Sequence, residues 1–246
     1  MTSRRSLFVW CVAMGGIAVL AIASLVSVGE QLEAICYDDF NSSGTGWNVQ
    51  EGDTGSVQYR NGKYQVRITS KNHMWWSWAP CEFVPDNFLV EVTGYARASS
   101  LYSYYGIIWG TNSDNFLAFL ITPTGWTTVL SQRNDEWGAS PIAWQECSSI
   151  DVGENERNTL RVTVNGTSVE VKVNRRVVGR FETGQSLDLA AAFASPSLVS
   201  LGAGDSWRVG VTGGSFEKVP VDFYFESFAL YEIPAEDEDG PPTIDY

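Results

Sequence analysis

Histidine is almost missing from this chain of 246 residues, with His73 the single one. A Ser-His-Asp relay would have to be assembled around His73, which sits in a tryptophan-rich stretch with no nucleophile motif beside it. His73 reads as a loop or surface residue. Metal centres that need two imidazoles cannot be built within one copy of the chain. Charge is sparse too, at 18% of residues, and mostly negative, with Lys+Arg 16, Asp+Glu 29 and a net charge of −13. Arg4 and Arg5 precede a long apolar run, so the remainder holds 14 bases against 29 acids (−15). Such a body repels phosphate backbones, which argues against nucleic acid as a partner. What the chain does have is aromatic surface. Aromatics make up 13% of it, including ten tryptophans, enough apolar area to offset the entropy of ordering a folded body.

The apolar run is Leu7 to Gly29, 23 residues without a charge. As a helix it would extend about 34 Å, enough to cross the roughly 30 Å hydrocarbon layer of a bilayer. Residues 1–6 carry Arg4 and Arg5, whereas acids begin at Glu30, which orients the segment with its N-terminus inside and the body outside. The expectation is a single-pass signal anchor in the cell membrane, followed by a juxtamembrane stretch over 30–36. Two alternatives stay open. Ser27-Val28-Gly29 is an acceptable small-x-small cleavage site for a signal peptide, and Ser3-Arg4-Arg5-Ser6-Leu7-Phe8 resembles a twin-arginine export signal.

The body, expected over 37–233, is patterned for β-structure. Between Asn158 and Glu182, Leu160, Val162 and Val164 alternate with polar residues, as do Val169, Val171 and Val173. Asn165-Gly166 predicts a tight turn with positive φ at both central residues, and Asn174-Arg175-Arg176 a second reversal. This meander has one apolar face and needs another sheet to cover it. Further strands are predicted at Ser56–Tyr59 and Tyr64–Thr69 around Asn61-Gly62, at Phe88–Ala96, at Tyr104–Gly110 and Asn115–Ile121, at Trp126–Gln132, and at Arg208–Val211 and Asp222–Glu232. Asn41–Asp53, the stretch around Trp75, Trp76 and Trp78, and Asn134–Asn155 read as loops. Leu187–Ala194 has helix-compatible composition between Gly- and Ser-rich flanks, and the acids and prolines of 234–246 argue for a disordered tail.

Three cysteines follow the apolar run: Cys36, Cys81 and Cys147. Cys81 precedes one strand and Cys147 precedes the meander by a similar loop, so these two are expected to form a disulfide and Cys36 to be free or intermolecular. Cys11 falls inside the membrane segment.

Taken in order, the body runs Asp38-Asp39-Phe40, GSVQYRNGKYQVRI, FLVEVTGYARA, YYGIIWGTNSDNFLAFLITPTGW, NTLRVTVNGTSVEVKVNRRVVGRF, WRVGVTGGSF and VDFYFESFALYE. That succession resembles the concanavalin A-like lectin/glucanase superfamily, in particular exported bacterial jelly-roll domains related to laminin G-like modules and to the 3-keto-disaccharide hydrolase type. The resemblance implies an all-β, two-sheet antiparallel sandwich after one N-terminal transmembrane helix. The chain departs from it where Val173-Asn174-Arg175 replaces the usual Val-Asn-Gly of the second turn, and in the length of Gly184–Ser206. Such sandwiches carry lectins, hydrolases and adhesion modules alike. The glucanases among them present ExDxxE or ExDxE on one strand, and no such run occurs in the body here. Glu236-Asp237-Glu238-Asp239 lies in the tail, and Asp135-Glu136, Glu154 and Glu156 lie in loop-like stretches.

A structural calcium, which often ties such domains together, would draw its oxygen ligands from Asp38, Asp39 and Asn41 with Asp222 or Glu226. The same acids serve equally as strand-end caps or solvated charges, and no other cofactor or metal site is expected. Tryptophan and tyrosine rings stack on the apolar face of sugars. The candidate ligand-binding residues are therefore Trp75, Trp76, Trp78, Tyr105, Trp109, Trp126 and Trp137, although about half of the strand aromatics must be core and loop tryptophans also cap sandwich ends. The leading expectation is non-catalytic recognition of a glycan or cell-envelope polymer. A glycosidase-like hydrolase and a partner-docking module without sugar affinity are the alternatives.

Overall fold

The computed structural model describes residues 32–97, 102–183 and 206–234. The expected membrane segment 7–29 with its flank at 1–6, Cys11, the stretch 187–194 and the tail beyond Pro234 lie outside the described residues. No helix among the described residues is long and apolar enough to cross a membrane. The elements are β1 (Ala34–Asp38), β2 (Gln50–Gly52), β3 (Gly55–Tyr59), β4 (Tyr64–Ile68), β5 (Met74–Trp78), β6 (Phe88–Ala96), β7 (Ser103–Asn112), β8 (Asn115–Ile121), β9 (Trp126–Arg133), β10 (Glu136–Trp137), β11 (Ile142–Glu146), β12 (Asn158–Asn165), β13 (Ser168–Val173), β14 (Arg176–Glu182), β15 (Arg208–Ser215) and β16 (Val221–Glu232).

Among the described residues these form two antiparallel sheets. The nine-stranded sheet runs β14-β13-β12-β6-β16-β4-β3-β2, and β1 pairs with β16 beyond the end of β4. The seven-stranded sheet runs β10-β9-β8-β7-β15-β5, with β11 also on β9. Alternation builds the first sheet: β6 and β12 are buried at every second residue, and their register sets Val162 against Val90 and Leu160 against Val92. The cover that the meander requires is the inner face of the second sheet, where Tyr105, Ile107, Trp109, Phe119, Val129 and Val211 join the same core. Each such side chain removed from water contributes about 1.5–3 kcal/mol. One end of the sandwich is plugged by rings, with Trp47 set 5.1 Å from Tyr64 and 5.1 Å from Phe228 between ring centroids.

The structure corrects several expectations. The tryptophan-rich stretch after Ser70 is not a loop but the edge strand β5. Its residues lack period-two patterning because both faces of the strand are covered, Trp75 by the core and Trp76 by an outer layer. Asn134–Asn155 contains β10 and β11. At the first meander turn Asn165 pairs with Ser168, so the central residues are Gly166 and Thr167, and only Gly166 has positive φ, at 56°. At the second turn both Asn174 and Arg175 have positive φ, 48° and 69°, so an arginine occupies the left-handed position that suits glycine.

The disulfide is Cys36–Cys81, not Cys81–Cys147. Pairing with β16 lays β1 along the body, and Cys36 packs against the core within 5.6 Å of Cys81, Cα to Cα. Cys147 is a half-buried free thiol whose N–H donates to the Gly125 carbonyl. Because β1 opens at Ala34, strand pairing starts inside the stretch expected to be a connector.

Candidate functional site

The two outer faces differ in chemistry. On the nine-stranded sheet the outward side chains form ion pairs: Arg67 with Asp222, Arg161 with Glu91, Arg180 with Glu170 across strands and Lys172 with Glu170 along β13, and Lys63 and Arg157 with Glu226. Arg157 binds Glu226 through two N–H donors, at 2.6 and 3.0 Å. Burial pushes the Glu226 carboxyl up, but hydrogen bonds from Arg157 and Lys63 outweigh it and hold the group below its ordinary range. Tyr95 and Tyr224 stack at 5.4 Å between these pairs. The face is polar and internally compensated.

The seven-stranded sheet presents a second, separate apolar cluster on its outer side. Register places these residues in rows. One row crosses from Arg208 on β15 to Gly110 on β7, Phe116 on β8, Gln132 on β9 and Trp137 on β10. The next runs Trp78, Gly210, Ile108, Ala118 and Leu130, and the third runs Trp76, Thr212, Gly106, Leu120 and Thr128. Met74, Gly214 and Tyr104 begin a fourth, and Trp126 continues the same parity on β9. No carboxylate occupies any of these outer positions.

Glycines on the two central strands keep the floor low. At Gly106 an added Cβ would stand 1.9 Å from the Phe119 carbonyl oxygen, and at Gly210 it would stand 2.1 Å from that of Ser77, so the strands approach too closely for any other residue. Large rings lie over this floor. Trp76 tilts onto Phe116 at 5.7 Å, and Phe116 meets the edge of Trp137 at 6.0 Å. Towards the other end Tyr104, Trp144 and Phe216 form a triangle with centroid separations of 6.3, 5.0 and 6.0 Å. Trp144 reaches this group from β11, whose register slips between Ile142 and Gln145. The slip lets Ile142 pack into the core while Trp144, two residues on, joins the outer layer. Burial pushes the Tyr104 hydroxyl up to about 12, so it stays protonated and able to donate.

Polar groups beneath the rings are satisfied internally. Thr212 Oγ1 donates to the Trp75 carbonyl, Thr128 Oγ1 to that of Ile142, and Gln132 Nε2 to Asp135. At the margin, Trp137 is 58% and Trp126 41% exposed. Trp126 borders an open depression of about 400 Å³ lined also by Thr124, Gly125, Glu146, Cys147 and Ser148.

Of the residues expected from the sequence, Trp76, Trp78, Trp126 and Trp137 therefore share this outer face. Three do not. Trp75 turns inward and donates its Nε1–H to Thr54, Tyr105 stacks on Phe223 in the core at 5.5 Å, and Trp109 is 1% exposed. Phe116, Phe216 and Arg208 belong to the face but were not among the candidates. The parity of the β7–β8 hairpin would have identified Phe116, whereas Phe216 and Arg208 required tertiary pairing. The acids suggested for calcium are otherwise engaged. Asp38 accepts from the Phe40 N–H and from Thr45, Asp39 from Asn41, and Asp222 and Glu226 from basic partners. Among the described residues no group of three or more His, Cys, Asp or Glu side chains could hold a metal ion.

By sequence, neither a protein-family profile nor a curated protein matches the chain. By structure it has the concanavalin A-like jelly-roll fold. It is similar to the laminarinase catalytic domain from Thermotoga maritima (TM-score 0.59, 8% identity, covering 83% of this chain and 100% of that one). It is similar also to an endo-acting O-glycanase from the human gut microbiota, described in connection with mucin breakdown (0.58, 10%, 82% and 100%). A third is carbohydrate binding module CBM66 from Bacillus subtilis (0.53, 12%, 76% and 96%).

Proposed function

We propose that this protein is a non-catalytic recognition module that binds a glycan or cell-envelope polymer across the outer face of its seven-stranded sheet. In this reading the apolar segment 7–29 holds it in a membrane, with the sandwich displayed outside. The observation that carries the proposal is a ring-rich face whose five central and flanking strands bear no acid, the nearest carboxylate in register being the exposed Glu146 opposite Trp126 on edge strand β11. Trp76, Trp78, Trp137 and Trp126 share it, yet no outer position of β5, β7, β8, β9 or β15 bears a carboxylate. Rings with one marginal acid can hold a sugar but lack the pair of carboxyl groups that glycoside hydrolysis uses. The sandwich is shared by glycan-acting hydrolases and by a carbohydrate-binding module, so a sugar ligand fits the architecture while the chemistry of the face favours the binding use.

The test is retention of the full chain, purified in mild detergent, on an array of plant, algal and bacterial polysaccharides. Binding to at least one glycan is expected, with Trp78→Ala and Trp137→Ala each weakening it about tenfold, the loss of one ring contact of roughly 1.4 kcal/mol. Retention on no glycan would overturn the reading in favour of a protein-docking role. Release of reducing ends from a bound glycan would overturn it in favour of hydrolysis.

A further inference from the structure

On the nine-stranded sheet, each of six outward cations has a carboxylate partner, namely Lys63, Arg67, Arg157, Arg161, Lys172 and Arg180. Arg208 is the one charged residue at the outer positions of β5, β7, β8, β9 and β15, and among the described residues no carboxylate pairs with it. It is exposed, and its guanidinium carbon sits 5.1 Å from the centre of the Trp78 ring. Its neighbour in register on β7 is Gly110, so no side chain crowds the guanidinium from that side. Past the same end of the sheet the row goes on through Phe116 and Gln132 to Trp137, about 19 Å at the usual strand spacing. At the opposite end of β15, Lys218 lies 4.4 Å over the Tyr102 ring, a second cation held on an aromatic.

A chain of net charge −13 repels polyanions at long range, so a cation on its aromatic face with no carboxylate partner among the described residues is a local exception. An arginine over an indole keeps its N–H fork free, and that fork matches the oxygen pair of a carboxylate or sulfate. We infer that the ligand is an anionic polysaccharide, and that Arg208 binds a carboxylate or sulfate on a sugar unit whose ring stacks beside Trp78. This inference rests on the glycan reading above and specifies the ligand of the same face.

The experiment compares one sugar backbone with and without charge. The full chain is titrated with polygalacturonate and with its fully methyl-esterified form, and in parallel with dextran sulfate and dextran, at low and at physiological salt. The acid form is expected to bind at least tenfold more tightly than the ester, or the sulfated form than its neutral parent, which also identifies the anion. Added salt should shrink the preference. Arg208→Gln should abolish the preference with an unchanged melting temperature, and Arg208→Lys, which keeps the charge but not the fork, should retain only part of it. Equal binding of charged and neutral forms, or a preference that survives Arg208→Gln, overturns the anion assignment and leaves glycan recognition standing. Binding to no charged or neutral glycan overturns both.

Discussion

Reducing the Cys36–Cys81 bond should cost about 4 kcal/mol, and the structure says where that cost comes from. The two cysteines are separated by 45 positions, and closing a loop of that length restricts the unfolded chain by about 4 kcal/mol at 25 °C in the chain-entropy treatment. Both side chains pack against the core, so the reduced thiols leave no cavity and the folded state changes little. For a body of about 200 residues this corresponds to a fall in Tm of roughly 10 °C. Urea unfolding followed by tryptophan fluorescence, with and without reductant, measures it. The midpoint should drop while the slope m rises, because the reduced unfolded chain is less compact. Magnitude alone does not identify the bond, since the longer Cys81–Cys147 loop also yields about 4 kcal/mol by the same formula. Serine variants do. Cys36→Ser and Cys81→Ser should each reproduce the whole loss, the double variant should add nothing, and Cys147→Ser should be nearly silent. A loss of about 4 kcal/mol in Cys147→Ser, or insensitivity of the unmodified protein to reductant, would refute the pairing.

Arg175→Gly should stabilise the domain by about 0.5–1 kcal/mol, because relief from a left-handed φ of 69° exceeds the added entropy of the unfolded glycine; an unaltered urea midpoint would contradict it. Asn158→Ala should cost about 2–4 kcal/mol, since the buried amide accepts from Asp151 N–H and Asn174 and donates to the Asp151 carbonyl, leaving several partners unsatisfied. The measurement is again the unfolding midpoint, now at unchanged m. Glu226 is held below its ordinary value of 4.5, so the folded state binds this proton less readily than the unfolded state does. Its contribution is complete above about pH 4.5 and is lost as the pH falls through the lower folded value. Melting temperature against pH should therefore fall less steeply below pH 4.5 in Glu226→Gln than in the parent protein.

The meander was legible because one of its faces meets water. Leu160, Val162, Val164, Val169, Val171 and Val173 alternate with polar neighbours, and alternation is visible in one dimension. Strand β5 was not, because Met74-Trp75-Trp76-Ser77-Trp78 is covered on both sides and carries no period. The candidate site suffered from the same limit in another form. Tyr104 and Tyr105 are adjacent and equally aromatic, but pleating sends one to the outer layer and the other to the core, and only register decides which. A slip of one residue exchanges the two faces. Cys36 found Cys81 because β16, nearly two hundred positions along, carries β1 to the body, and local spacing holds no trace of that.

The position of the last two strands has a consequence for how the chain is made. β16 sits inside its sheet, with β6 on one side and β4 and β1 on the other, and β15 sits between β7 and β5. Before they emerge from the ribosome, the first sheet is three disconnected pieces (β14-β13-β12-β6, β4-β3-β2 and β1 alone) and β5 is a tryptophan-rich strand with no strand partner. Neither sheet can close while β15 and β16 are unsynthesised, so this domain forms only after residue 232 has left the ribosome. Until then its apolar strand edges are open to one another and to neighbouring chains. Truncation ahead of Arg208 would accordingly yield no smaller folded unit, only a chain that holdase chaperones must keep from aggregating.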